Sequence, residues 1–259
     1  MTILLALVFL LGSGEPPVRA DNKVPARYRQ WLEKDVAYLI TKEEKELFLR
    51  LQQDEGRERF IERFWEIRNP TPGAPTNPFR EEHYRRLEYA ENYFSLGSGT
   101  DGWRTDRGRV YILFGPPQQR AFHTSHQKLR PVEIWFYSSS HPALPPFFYL
   151  LFYQRENIGD FRLYSPYFDG PDKLITSHQA QSGRVQSLRV IQEAAGREVA
   201  RISLSLIPNE PVDMESATAS LQSDLLVSAI RNLANHPLTK NELARRRALL
   251  ENVTSRLII

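Results

Sequence analysis

The sequence predicts an α+β fold, with an N-terminal helical layer packed on a small, mainly antiparallel sheet and C-terminal helices after it. Three observations predict it. Apolar residues recur close to every 3.6 positions through the first third of the chain. A Gly/Ser/Asp-rich stretch, Leu96 to Gly102, ends that pattern abruptly. Short β-branched and aromatic runs follow, joined by loops too short for the crossovers that parallel strands need.

In the first helical segment, Ala26 to Ile40, the residues Trp31, Leu32, Val36, Leu39 and Ile40 share one face. Thr41-Lys42-Glu43-Glu44 is a capping box, whose hydroxyl and carboxylate satisfy orphan amides of a second helix buried through Leu47, Phe48 and Leu51. Asp54 is the predicted cap of a third, with Phe60, Ile61, Phe64, Trp65 and Ile67 as its stripe. Asn69-Pro70-Thr71-Pro72-Gly73 stops that helix, because proline cannot donate the next bond. Asn77 before Pro78 opens a fourth, with Phe79, His83, Leu87, Ala90, Tyr93 and Phe94 on its inner face.

Beyond the break, Arg109 to Phe114 (RVYILF) reads as a strand ended by Gly115-Pro116-Pro117. Val132 to Tyr137, Phe147 to Tyr153 and Asp160 to Tyr164 read as three more strands. A helix at Arg184 to Ala195, a strand at Glu198 to Ile207, and helices at Ser216 to Leu233 and Asn241 to Val253 complete the pattern. The expected divisions are a leader at 1–20, a helical part at 21–95, an α+β core at 96–210 and a helical segment at 211–259. There is no internal repeat of 20–50 residues.

Composition bounds the function. The chain has 259 residues, with 41% hydrophobic and 25% charged, an ordinary globular balance. Its 34 basic and 31 acidic side chains leave +3, too little for the cationic face of a nucleic-acid binder. Without cysteine there can be no disulfide scaffold, thiolate metal site or Cys nucleophile. The apolar run Thr2 to Leu11, then Val18-Arg19-Ala20 with small residues at −3 and −1, has the form of a secretory signal peptide cleaved after Ala20, although no Lys or Arg precedes the run. Its loss removes Glu15 and Arg19 and leaves the net charge unchanged. No later run of 18 apolar residues occurs, so the expected mature protein is periplasmic or secreted and does not span a membrane.

No Gly-x-Ser-x-Gly elbow, phosphate loop or dinucleotide turn is present, and no cofactor is expected. His123 and His126 could hold a metal but have no carboxylate close in sequence, so no metal site is assigned. Glu43-Glu44 and Glu81-Glu82 are expected on solvated helix faces, as is Arg245-Arg246-Arg247.

Gly102-Trp103-Arg104-Thr105-Asp106, continuing through Arg107-Gly108-Arg109-Val110-Tyr111-Ile112 to Gly115-Pro116-Pro117, resembles the GWxTD domain family. Phe64-Trp65, Arg68-Asn69-Pro70-Thr71-Pro72, Asn77, Glu133-Ile134-Trp135 and Tyr137 are similar to further features of that family. The resemblance runs over roughly residues 28 to 170. It departs at Asn69, where the family favours Asp, and in the C-terminal part, where relatives continue into a β-rich portion; a truncation at Ile259 is therefore expected. The resemblance implies a bacterial, exported protein and implies no reaction.

Two readings of the bend stay open. In one, it is a structural corner: Gly102 permits a positive φ, Trp103 buries its ring and donates its indole N–H, Thr105 or Asp106 caps the turn, and Asp106 pairs with Arg107 or Arg109. In the other, Trp103 is a ligand platform with Asp101 and Asp106 as polar hooks. The signature residues carried forward are Gly102, Trp103, Thr105, Asp106, Arg107, Gly115 and Trp135, and none is assigned as catalytic. Alternation sends Trp135 and Tyr137 to one sheet face and Phe136 to the other, so both faces are apolar and both need covering. The expectation is a noncatalytic module that binds an envelope or secreted protein. The alternative is a cofactor-independent enzyme on an envelope polymer, with Asp101, Asp106 and His83 or His123 as acid and base.

Overall fold

The computed structural model describes residues 24–97, 99–124, 127–156, 158–176 and 183–233. It is an α+β fold. Helix α1 (Ala26–Gln30) widens into a looser helical turn (Trp31–Asp35), and α2 (Lys42–Arg50), α3 (Asp54–Ile67) and α4 (Pro78–Phe94) follow. The expected capping box is present at Thr41 and Glu44. Asn77 caps α4 by accepting from the Arg80 N–H. The cap predicted at Asp54 is corrected. Gln53 holds the N-cap position and makes no side-chain cap bond, while Asp54 lies in the first turn and pairs with Arg27 and Arg57.

Helices α1 to α3 enclose their own aromatic cluster, in which the Trp31 ring meets Phe48, Phe60 and Phe64, and Phe48 meets Phe60. Glu44, expected on a solvated face, is completely buried there. Its carboxylate accepts from Arg68, 2.9 Å away, which also donates to the Phe64 and Leu39 carbonyls. A buried carboxylate without a charged partner would be costly, so Arg68 and Glu44 belong together.

The strand predicted at Arg109–Phe114 is instead a helix, α5 (Asp106–Phe114). The first strand lies later, at β1 (Gln119–His123), whose weakly apolar Gln-Arg-Ala-Phe-His carries no strand signal. It leads a four-stranded antiparallel sheet in the order β1-β2-β3-β4, with β2 (Val132–Ser138), β3 (Phe147–Gln154) and β4 (Phe161–Leu163). The strand predicted at Glu198–Ile207 is likewise a helix, α7 (Arg197–Leu204), set off from α6 (Gly183–Ala195) by Gly196 at φ 92°. Only the end of that segment is extended, where the Leu206 carbonyl accepts from the Tyr149 N–H. Helix α8 (Leu221–Asn232) closes the described chain. The predicted signal peptide, His126, the helix at Asn241–Val253, Arg245–Arg247 and Ile259 lie outside the described residues.

Register defines the faces. Trp135 pairs with Leu150, Tyr137 with Phe148 and Glu133 with Phe152. That face meets α4 and α5: Trp135 touches Phe94 and Tyr111, and Phe114 touches Tyr137 and Phe148. α7 lies against β3 on the opposite face, with Arg201 over the Tyr149 ring. Ile134, Leu151 and Tyr153 are buried there, with Ile191, Ile202 and Leu204 of α6 and α7 in the same core cluster. The aromatic sheet is thus a central layer for most of its area.

Candidate functional site

The GWxTD segment is a single tight helical turn, Gly102–Arg104, followed at once by α5. Gly102 is required for closeness, and a positive φ is not involved: a Cβ there would lie 2.0 Å from the Ala90 carbonyl oxygen of α4. Gly108 is equally constrained, with a Cβ placed 1.9 Å from the Gly102 oxygen. The bend is therefore pressed between α4 and α5 with no room for a methyl group on either glycine.

Thr105 joins the pieces. Its hydroxyl donates to the Gly102 carbonyl (2.8 Å) and accepts from the Gly108 N–H (3.0 Å), so it is the N-cap of α5. Trp103 is only 7% exposed, its ring edge-on to Tyr38, whose hydroxyl donates to the Trp103 carbonyl at 2.8 Å. The expected indole hydrogen bond is not made: Nε1 is buried without a partner among the described residues. A ring this enclosed is no open platform.

Asp106 does not pair with Arg107 or Arg109, contrary to expectation. Its Oδ2 accepts from the Leu163 N–H of β4 at 2.8 Å, and its position in the first turn of α5 suits a negative charge. Arg107 instead reaches under the sheet to Glu133 (2.9 Å), between the rings of Phe94 and Phe161. Burial lowers the Arg107 pKa and Glu133 opposes that shift. Arg109 donates to the Arg231 carbonyl of α8. Asp101 is exposed and faces Arg104 at 3.5 Å.

Glu133 is the hub that sequence reasoning missed. It is 0% exposed and accepts from Arg107, Arg120 and the Trp135 indole. The signal was present. Glu133 is two residues from Trp135, so alternation put a lone carboxylate on the aromatic face, where burial demands donors and at least one cation. Trp135 is thereby fixed at the centre of the sheet.

Gly115 ends α5 at φ 79°, and its carbonyl accepts from the Tyr137 hydroxyl. Arg86 of α4 lies against this end: a Cβ on Gly115 would come 2.9 Å from its Nη2. The guanidinium donates to Glu82 (2.7 Å) and faces the Ile112 and Leu113 carbonyls, where a cation suits the helix C-terminus. Arg86 was also missed, since the contact joins residues about thirty apart.

Beside Arg86 lies a cleft of about 470 Å³ lined by α4, the end of α5 and the β2–β3 loop Ser138–His141. His83 is in its wall. Its Nε2–H donates to the Asp35 carbonyl, and burial lowers its pKa to about 4, so the ring is neutral at pH 7. Neighbouring Tyr84 is pushed up to about 12, chiefly by burial. Asp101, Asp106 and His123 do not line this cleft, so neither candidate carboxylate joins His83 there. Among the described residues, no group of three His, Asp or Glu side chains could hold a metal, and no helix is long and apolar enough to cross a membrane.

No curated protein and no solved structure matches this chain. One family model does, that of the GWxTD domain, over residues 18–164. The matched segment ends just after β4 and contains the whole linkage from Gly102 through Asp106 and Arg107 to Glu133, while α6 to α8 lie beyond it. With more than half of its length matched, the chain belongs to the GWxTD domain family.

Proposed function

We propose that this protein is an exported, noncatalytic binding module of the cell envelope whose partner is another envelope or secreted protein. The observation that carries the reading is the inward use of the signature. Thr105, Asp106 and Arg107 hydrogen-bond to backbone or to Glu133, and Trp103 is enclosed, so these groups hold α4, α5 and the sheet together. What the domain leaves outward is aromatic. Phe147 is 53% exposed and stacks on half-buried Phe136 at 6.2 Å, with Tyr149 beside Phe136 at 5.1 Å. Such rings offer large contact area at low entropic cost. The leader-like N-terminus supports an envelope or secreted location.

The test is a photo-crosslinking side chain at Phe147, with the same group at exposed Arg162 of β4 as the comparison. A discrete adduct with one envelope protein from position 147 and none from 162 supports the reading. Equal labelling from both positions, or none, overturns it. The competing enzyme reading would use the cleft at His83; turnover of an envelope polymer, abolished by His83→Gln in a folded protein, would establish it instead.

A further inference from the structure

We propose that the outer edge of β1 is a self-association surface, pairing antiparallel with β1 of a second copy of this chain about a two-fold axis at Ala121. The sheet's two edges differ. At β4 the outward groups of Leu163 are occupied: its N–H donates to Asp106 (2.8 Å) and its carbonyl accepts from Arg231 (3.3 Å). At β1 four of five residues are exposed, and no described side chain hydrogen-bonds to the backbone of Gln119–His123. Sheet proteins ordinarily blunt an open edge with lysine, proline, a bulge or a covering element. Gln-Arg-Ala-Phe-His has no lysine or proline, and its one cation, Arg120, is turned inward onto Glu133.

The register shows which groups are available. Leu163 opposes Phe152 and points its N–H outward, so Phe152 bonds across to Glu133. Ile134 then bonds to Ala121, which leaves the N–H and C=O of Arg120 and Phe122 on the open side. A two-fold pairing centred on Ala121 places Arg120 opposite the partner's Phe122, and both residues present outward groups. Each chain's Arg120 and Phe122 can therefore exchange N–H···O bonds with the other copy. Gln119 falls opposite His123, and no like charges oppose each other. Phe122, 54% exposed, already lies under Arg120 at 4.7 Å, and the second copy would extend that cation–π contact. At the axis two alanines meet as a close pair that lets the backbones approach.

This inference does not depend on the partner-binding reading, which uses the aromatic end of β2 and β3. The chain has no cysteine, so one introduced thiol reports the register directly. Under mild oxidation Ala121→Cys is expected to form a disulfide-linked dimer, because the paired Cα atoms would be about 4.5 Å apart, within disulfide reach. Gln119→Cys, on the same face but off the axis, is expected not to. Sedimentation of the purified protein should show a reversible monomer–dimer equilibrium. Ala121→Lys, which opposes two cations at the axis, should weaken it about tenfold or more while leaving the unfolding midpoint unchanged at dilutions where both proteins are monomeric. Wild type that stays monomeric at every concentration, equal crosslinking at 119 and 121, or an unchanged Ala121→Lys dimer would each overturn the proposal. So would capture of a different protein's strand by a monomeric β1, an outcome that leaves the partner-binding reading standing.

Discussion

Removal of both members of the Arg107–Glu133 pair should destabilise the protein by less than the sum of the two single removals. Glu133 is fully enclosed and Arg107 nearly so, with Phe94 and Phe161 flanking the guanidinium. In Glu133→Gln the buried cation keeps only a neutral acceptor, and breaking a buried pair costs about 3–5 kcal/mol. Arg107→Met leaves Glu133 with Arg120 and the Trp135 indole. Arg120 is partly exposed and supplies some compensation, so the expected loss is at the lower end, about 3 kcal/mol. In the double variant no unpaired charge remains on the α5 side, and the two costs should fail to add by about 2 kcal/mol. Urea unfolding with matched slopes reads each value as a midpoint shift. Single losses under about 1 kcal/mol, or strict additivity, would refute the view that this pair locks α5 to the sheet.

Three further outcomes are expected. Thr105→Val keeps the shape but loses both hydroxyl bonds, and should cost about 2 kcal/mol, whereas Thr105→Ser should recover most of it; thermal unfolding checks the pair. Gly115→Ala and Gly73→Ala both impose a side chain at φ 79°, but only position 115 also crowds Arg86, so its melting temperature should fall clearly further. His83 is buried neutral with its pKa lowered to about 4, so the unfolded chain, titrating near 6.5, binds more protons between those values. Stability should therefore fall by about 3 kcal/mol as pH drops from 7 to 4 on account of this group. Urea midpoints measured across that range should show the fall, and His83→Gln should remove it.

Local signals wrote much of the fold. The capping box at Thr41, the Asn77-Pro78 start and the strands from Val132 and Phe147 follow from side chains acting within a few residues, and each is where its pattern predicts. The two predicted strands that are helices share one cause. RVYILF has strand-forming composition, but Thr105 caps it, and Asp106 and Arg107 find partners at Leu163 and Glu133 from a helical backbone. β propensity is worth less than those contacts. The segment from Glu198 alternates acceptably as a strand, but it also places Val199, Ile202 and Ser203 on one buried helical face. The helix prevails there because it sets those residues against the sheet.

The amino-acid order by itself determined the fold class, the capped helix starts and the position of the bend, since these depend on φ/ψ preferences and hydrogen bonds between near neighbours. Tertiary structure decided what the bend is for. Whether Gly102 serves a positive φ or a close approach, and whether Asp106 meets an arginine or a strand amide, depends on which distant groups the folded chain delivers to them. Competition among several chemically adequate partners is settled by packing geometry, because a buried polar group keeps the partner that arrives at hydrogen-bond distance with its water removed.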